Sequence, residues 1–172
     1  MQQREKYRLA LLAACAIAMY GFERLIPTPI PWLRFGFANI ITLITLTLYG
    51  FNAALTITLI RILIGSMLTG TLLGPPFVMS LVGGVFSVAA MWAAFRIRVF
   101  GPLGLSLIGA FFHNLGQLLA VYAVFIQNLR SILVLAPVIL FIGTLTGVLN
   151  GLAVIFTMEH LKKMSDNVQN TQ

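Results

Sequence analysis

Charge is scarce in this chain. Only 9% of its 172 residues are charged, and the four acids are Glu5, Glu23, Glu159 and Asp166. A soluble domain usually carries about 25% charged residues, so this shortage excludes an ordinary water-facing surface. The acids are scattered, which excludes a sequence-near carboxylate pair for acid–base work. A single cysteine, Cys15, excludes an internal disulfide framework and a cysteine-cluster metal site. No glycine-rich phosphate loop of the P-loop type occurs, so ATP hydrolysis by that route is excluded. No His, Asp and Glu set has metal-ligand spacing, and no cofactor is expected.

Apolar residues dominate instead, at 59% with a mean hydropathy of +0.98. The expected solvent is lipid. At roughly 20 residues per helical crossing, the chain has room for at most about six or seven spans. Six are predicted, over residues 9–26, 35–49, 53–68, 77–95, 103–126 and 132–156. The expected fold is therefore an all-α, integral membrane six-helix bundle forming one domain over 1–172, with a polar, frayed tail at 165–172. The net charge of +7 belongs to helix ends on this reading, with the bilayer as its partner and not nucleic acid.

The first apolar run follows Arg4, Lys6 and Arg8, like the start of a signal peptide, and Leu12-Ala13-Ala14-Cys15 mimics a lipoprotein cleavage box. The apolar segment before that box is too short and the run continues past Cys15, so an uncleaved first span is expected. Ala10, Ala14 and Ala18 recur every four positions, which gives that span a smooth face for close helix packing. Pro27, Pro29 and Pro31 force an extended path through 27–34. Gly50-Phe51-Asn52, the segment around Gly74-Pro75-Pro76, and Gly101-Pro102 read as breaks between spans.

Polar residues inside the spans carry the functional argument. In Gly109-Ala110-Phe111-Phe112-His113-Asn114-Leu115-Gly116-Gln117, helical spacing puts His113, Asn114 and Gln117 on one face. Lipid offers such groups no partners, so the face should turn inward. It reads either as a ligand site or as interhelical hydrogen bonding. Arg61, deep in the third span, either pairs with Glu23 or meets an anionic ligand. A catalytic role for His113 with a membrane serine finds no orienting third group, so no catalytic residue is expected.

Basic residues set the orientation. Six spans with a cytoplasmic N-terminus put Arg4, Lys6, Arg8, Arg96, Arg98, Lys162 and Lys163 inside, against Arg24, Arg34 and Arg130 outside. Seven against three fits the positive-inside rule, with both termini cytoplasmic in a multi-pass protein of the inner (cytoplasmic) membrane.

The segments Arg34-Phe35-Gly36-Phe37-Ala38-Asn39, Gly70-Thr71 through Ser80 and Gly83-Gly84, and Gly109-Ala110 through Gln117 resemble the heptaprenyl diphosphate synthase component I family, also called the Gx transporter family. The resemblance spans about residues 9–156. Its two names point apart. A prenyl synthase needs aspartate-rich motifs that hold magnesium on a diphosphate, and the single aspartate here lies in the tail. The family also looks similar to the substrate-binding S components of energy-coupling factor transporters. That likeness implies a small-molecule substrate and a separate transmembrane coupling subunit with two ATPases. It implies that Ala10, Ala14 and Ala18 pack on that subunit, and it implies no enzyme activity. The expected cavity lining is Arg34, Asn39, Arg61, His113, Asn114 and Gln117, with Glu23 at the edge. The expected cargo carries an anionic or carbonyl-rich group. The alternative is a non-catalytic membrane accessory of polyprenyl diphosphate synthesis.

Overall fold

The computed structural model describes residues 3–23, 25, 26 and 36–169, with the side chains of 161, 162 and 164–169 outside that description. Arg34 and the proline segment 27–34 lie outside the described residues. The described chain is all-α. It forms α1 (Gln3–Glu23), α2 (Asn39–Leu68), α3 (Pro75–Ile97), α4 (Pro102–Ala120), a π-helical turn (Val121–Phe125) and α5 (Leu129–Gln169). Four stretches are long and apolar enough to cross a membrane: Asn39–Leu68, Pro75–Ile97, Pro102–Phe125 and Leu129–His160.

The first predicted span is not among them. Its helix starts at Gln3 and takes Arg4, Glu5, Lys6 and Arg8 into its opening turns. Only residues 9–22 lie between charges, about 21 Å of helix against a hydrocarbon core of about 30 Å.

The second and third predicted spans form a single helical element, Asn39–Leu68, interrupted at Gly50. Gly50 takes φ 82° and ψ −175°, a conformation that only glycine adopts cheaply. The chain doubles back there. Thr42 Oγ1 and Thr58 Oγ1 lie 3.1 Å apart, whereas 16 residues of straight helix would separate them by about 24 Å. The element is a hairpin with arms 39–49 and 51–68.

The two predicted Gly-Pro breaks are helix starts. Gly74 and Gly101 are extended caps, and the prolines after them open α3 and α4. A proline at that position has the right φ and no N–H to leave unpaired. The tail expected to fray continues α5 as helical backbone to Gln169. Pro137 lies within that helix.

The helices pack α1 on α2, α2 on α3, α3 on α4, and α4 on α5. The α3–α4 seam is a backbone contact. A Cβ on Gly116 would sit 2.9 Å from Gly83 Cα, and one on Gly83 would sit 2.7 Å from the His113 carbonyl. Close approach of this kind is how helices associate in lipid. Along the α4–α5 seam, the Ser106 hydroxyl donates to Gly147 O at 2.8 Å. Leu12, Ala54, Val88, Leu105 and Val154 share one apolar cluster. It joins the middle of α1, the residues either side of the Gly50 turn, the later half of α3, the start of α4 and the later half of α5.

Candidate functional site

Polar side chains from four helices are buried in the middle of this apolar bundle. Glu23, Asn39, Arg61, His113, Asn114, Gln117 and Asn150 are each at most 6% exposed. None faces lipid. Ala10, Ala14 and Ala18, in contrast, are all exposed on α1.

Gly36 is the point on which the polar groups converge. Its φ of +78° favours glycine, and a Cβ there would meet Asn39 Nδ2 at 3.2 Å and His113 Cδ2 at 3.7 Å. Its carbonyl accepts from Asn150 Nδ2 at 3.1 Å. The turn that opens α2 thus touches α4 and α5 together. The next residue, Phe37, donates its backbone N–H to Glu23 Oε1 at the end of α1, at 2.5 Å.

The hairpin supplies the cation. Arg61 on the second arm donates from Nη2 to Asn39 Oδ1 on the first, at 3.1 Å. Doubling back at Gly50 is what brings these residues level. On α4, His113 Nε2 and Gln117 Nε2 lie 2.7 Å apart, one helical turn apart as their spacing requires. With the amide donating, His113 Nε2 accepts and the neutral ring carries its proton on Nδ1.

The structure corrects the expectation that His113, Asn114 and Gln117 share one direction. His113 and Gln117 lie against Gly83 of α3, whereas Asn114 occupies the space beside Gly143 of α5. Consecutive helical residues point about 100° apart, so Asn114 serves the other seam. Its Nδ2 donates to Ala110 O at 3.1 Å.

Asn150 was not among the predicted site residues. Its signal was weak in the sequence: one amide among glycines in a long apolar helix, with only a threonine, Thr146, four residues before it to mark a face.

Among the described residues, four amide atoms in this region have no hydrogen-bond partner: Asn39 Nδ2, Asn114 Oδ1, Gln117 Oε1 and Asn150 Oδ1. The Ser80 and Ser87 hydroxyls on α3 share that condition. Each such buried group costs roughly 1–3 kcal/mol unless a partner meets it. Among the described residues, no three His, Cys, Asp or Glu side chains are grouped to hold a metal.

Two open grooves lie elsewhere. One, about 660 Å³, runs between α1 and α2 and is lined by Glu5, Ala10, Tyr49, Asn52 and Ile60 among others. The second, about 600 Å³, lies on α3 and α4 between Phe86, Phe100 and Phe112. Neither touches a residue of the polar cluster.

Lipid-length apolar helices closed around buried amides, an imidazole and an arginine define an α-helical membrane protein with a polar interior. The profile of one family, heptaprenyl diphosphate synthase component I, matches residues 12–157, and the chain belongs to that family. No curated protein and no solved structure matches it.

Proposed function

We propose that the chain is the membrane-embedded substrate-binding subunit of an energy-coupling factor type importer. Its cargo is a small vitamin-like or isoprenoid- or quinone-related molecule. The observation that supports this reading is the set of buried amide atoms that lack partners among the described residues, Asn39 Nδ2 and Asn150 Oδ1 at Gly36 and Asn114 Oδ1 and Gln117 Oε1 on α4. Groups of this kind, contributed by different helices and left unsatisfied, suit a ligand that completes them on binding.

In this reading the chain crosses six times, and the first arm of the α2 hairpin, 39–49, is the helical half of one crossing. Arg4, Lys6, Arg8, Arg96 and Arg98 belong to the end of the bundle that holds the start of α1 and the close of α3. The positive-inside rule assigns that end, and both termini, to the cytoplasmic side of the inner membrane. The exposed face of Ala10, Ala14 and Ala18 receives the coupling subunit, whose two ATPases supply the energy. The chain itself performs no catalysis.

The test is affinity purification from cells with mass spectrometry of what is retained. Co-purification of a membrane subunit with two ATPases, together with a small molecule lost in Arg61→Ala and His113→Ala, supports the reading. Full retention of the small molecule in both variants moves the site elsewhere.

The family's description favours a second reading, a non-catalytic membrane accessory of heptaprenyl diphosphate synthesis. A soluble prenyl synthase in the same purification, with no ATPase, selects it over the first.

A further inference from the structure

The open groove on α3 and α4 has a wholly apolar lining. Alanine takes four of its positions on α3, Ala89, Ala90, Ala93 and Ala94, so the helix surface is hollow there. Ala89 and Ala93 are exposed, so no described helix of this chain fills the hollow. Phe86, Phe100 and Phe112 stand around it, and Phe112 is set edge-on against Phe111, with ring centroids 5.6 Å apart. On α3 the lining runs from Val85 to Ile97. Those residues are about 18 Å apart along a helix. That is close to one leaflet, half of a hydrocarbon core of about 30 Å.

One end of the groove is charged. Ile97 and Phe100 both line it. Arg98 lies between them in sequence, and Arg96 precedes Ile97. Both arginines are exposed, and among the described residues neither has a carboxylate partner. The Arg96 guanidinium lies 5.6 Å from the centroid of the Trp92 ring. Stacking uses the flat face of a guanidinium and leaves its N–H edge free for a bidentate acceptor such as phosphate. Tryptophan and arginine together suit the water boundary of a membrane helix.

We propose that the groove holds one acyl chain of an anionic phospholipid from the leaflet at this end, with its phosphate on Arg96 and Arg98. The proposal is independent of cargo binding, since no residue of the polar cluster takes part. A tail that leaves lipid for the groove gains little, because lipid is as apolar as the lining. Selection therefore falls on the head. Cations at the boundary, with no carboxylate paired to them, favour a net negative headgroup over a zwitterionic one. The alanine hollow sets how closely the tail, and with it the phosphate, approaches α3. The lipid enters sideways through the exposed lining and never crosses water.

The experiment is native mass spectrometry of the full chain in detergent, titrated with phosphatidylglycerol and with phosphatidylethanolamine of the same acyl chains. The expected result is one retained phosphatidylglycerol, bound at roughly tenfold lower concentration than phosphatidylethanolamine. Combining Arg96→Gln with Arg98→Gln abolishes the preference. Ala93→Phe, which fills the hollow, removes the bound lipid. Arg130→Gln, at the start of α5, keeps it. All four positions are exposed, and an unchanged Tm checks that each variant folds. The two lipids on the unmutated chain decide the matter where a variant does not fold. Equal binding of both lipids overturns the proposal. So does a preference that survives the double arginine variant, or one that survives Ala93→Phe, since the head is then held without the groove. Displacement by glycerol 3-phosphate at matched concentration reveals an anion site that reads no tail, and overturns it too. Displacement by farnesyl diphosphate at lower concentration overturns the phospholipid and favours the second reading of function.

Discussion

The α3–α4 seam and the Gly36 cluster are neighbours built on opposite terms. In the seam, Gly83 and Gly116 bring two backbones into contact and leave no room for a methyl group. In the cluster, side chains from α2, α4 and α5 meet around one glycine and keep amide atoms without partners. His113 and Gln117 belong to both, since each lies against Gly83 while reaching the polar side. The comparison teaches that lipid-buried glycine packing supplies the rigidity that permits unsatisfied groups next door. Van der Waals contact holds the helices, and hydrogen bonding is left in reserve.

The largest expected effect breaks the seam. Gly116→Leu drives a side chain into the Gly83 backbone and is expected to destabilise the protein by about 3 kcal/mol or more, measured as a lowered Tm. An unchanged Tm would mean that the helices do not depend on this contact. Next is the cluster. Arg61→Ala removes a charged hydrogen bond worth about 1.5–3 kcal/mol. Retained small molecule is expected to fall by roughly 10- to 100-fold, read by mass spectrometry at matched protein loading. The contrast sharpens if the seam variant that still folds keeps its ligand while the Arg61 variant folds well and loses it.

A smaller effect is expected from Ser87→Ala. The hydroxyl is fully buried and unpartnered, so deleting it is expected to be neutral or to stabilise by up to about 1 kcal/mol, with ligand retention unchanged. The smallest effect on stability is expected from Ala14→Leu, on the exposed face of α1. Its Tm should match the parent, whereas co-purification of the ATPase-bearing complex should be lost. A Tm drop there would assign the alanine face to packing within the chain.

Much of the fold was legible because the bilayer is an undemanding reader. Long apolar runs and Gly-Pro breaks mark α3 and α4 within a few residues. The limits of α1 were not legible, because hydropathy placed its start after Arg8 whereas a helix continues through charged turns as readily as apolar ones. The break at Gly50-Phe51-Asn52 was legible, but that Gly50 alone makes it was hidden. A turn made by one left-handed glycine leaves the helical hydrogen bonding of both arms almost intact.

For the site, spacing on α4 correctly tied His113 to Gln117, four apart on one helix. It put Asn114 on the same face, whereas that side chain, about 100° round the helix from His113, lies beside Gly143 of α5. The meeting of Asn39 with Arg61, and of Asn150 with Gly36, depends on how helices dock, and local periodicity carries no trace of that.

The Gly50 turn also fixes a depth. Asn39 and Arg61 each lie 11 residues from it along their arms, about 16 Å of helix. The turn shares its end of the bundle with Glu5, since Glu5 and Asn52 line one groove. With that end at the water boundary, the arginine and its amide partner sit about halfway through a hydrocarbon core of about 30 Å. Any molecule that reaches them must shed its hydration shell at the midplane, the thickness of one lipid leaflet from water on either side.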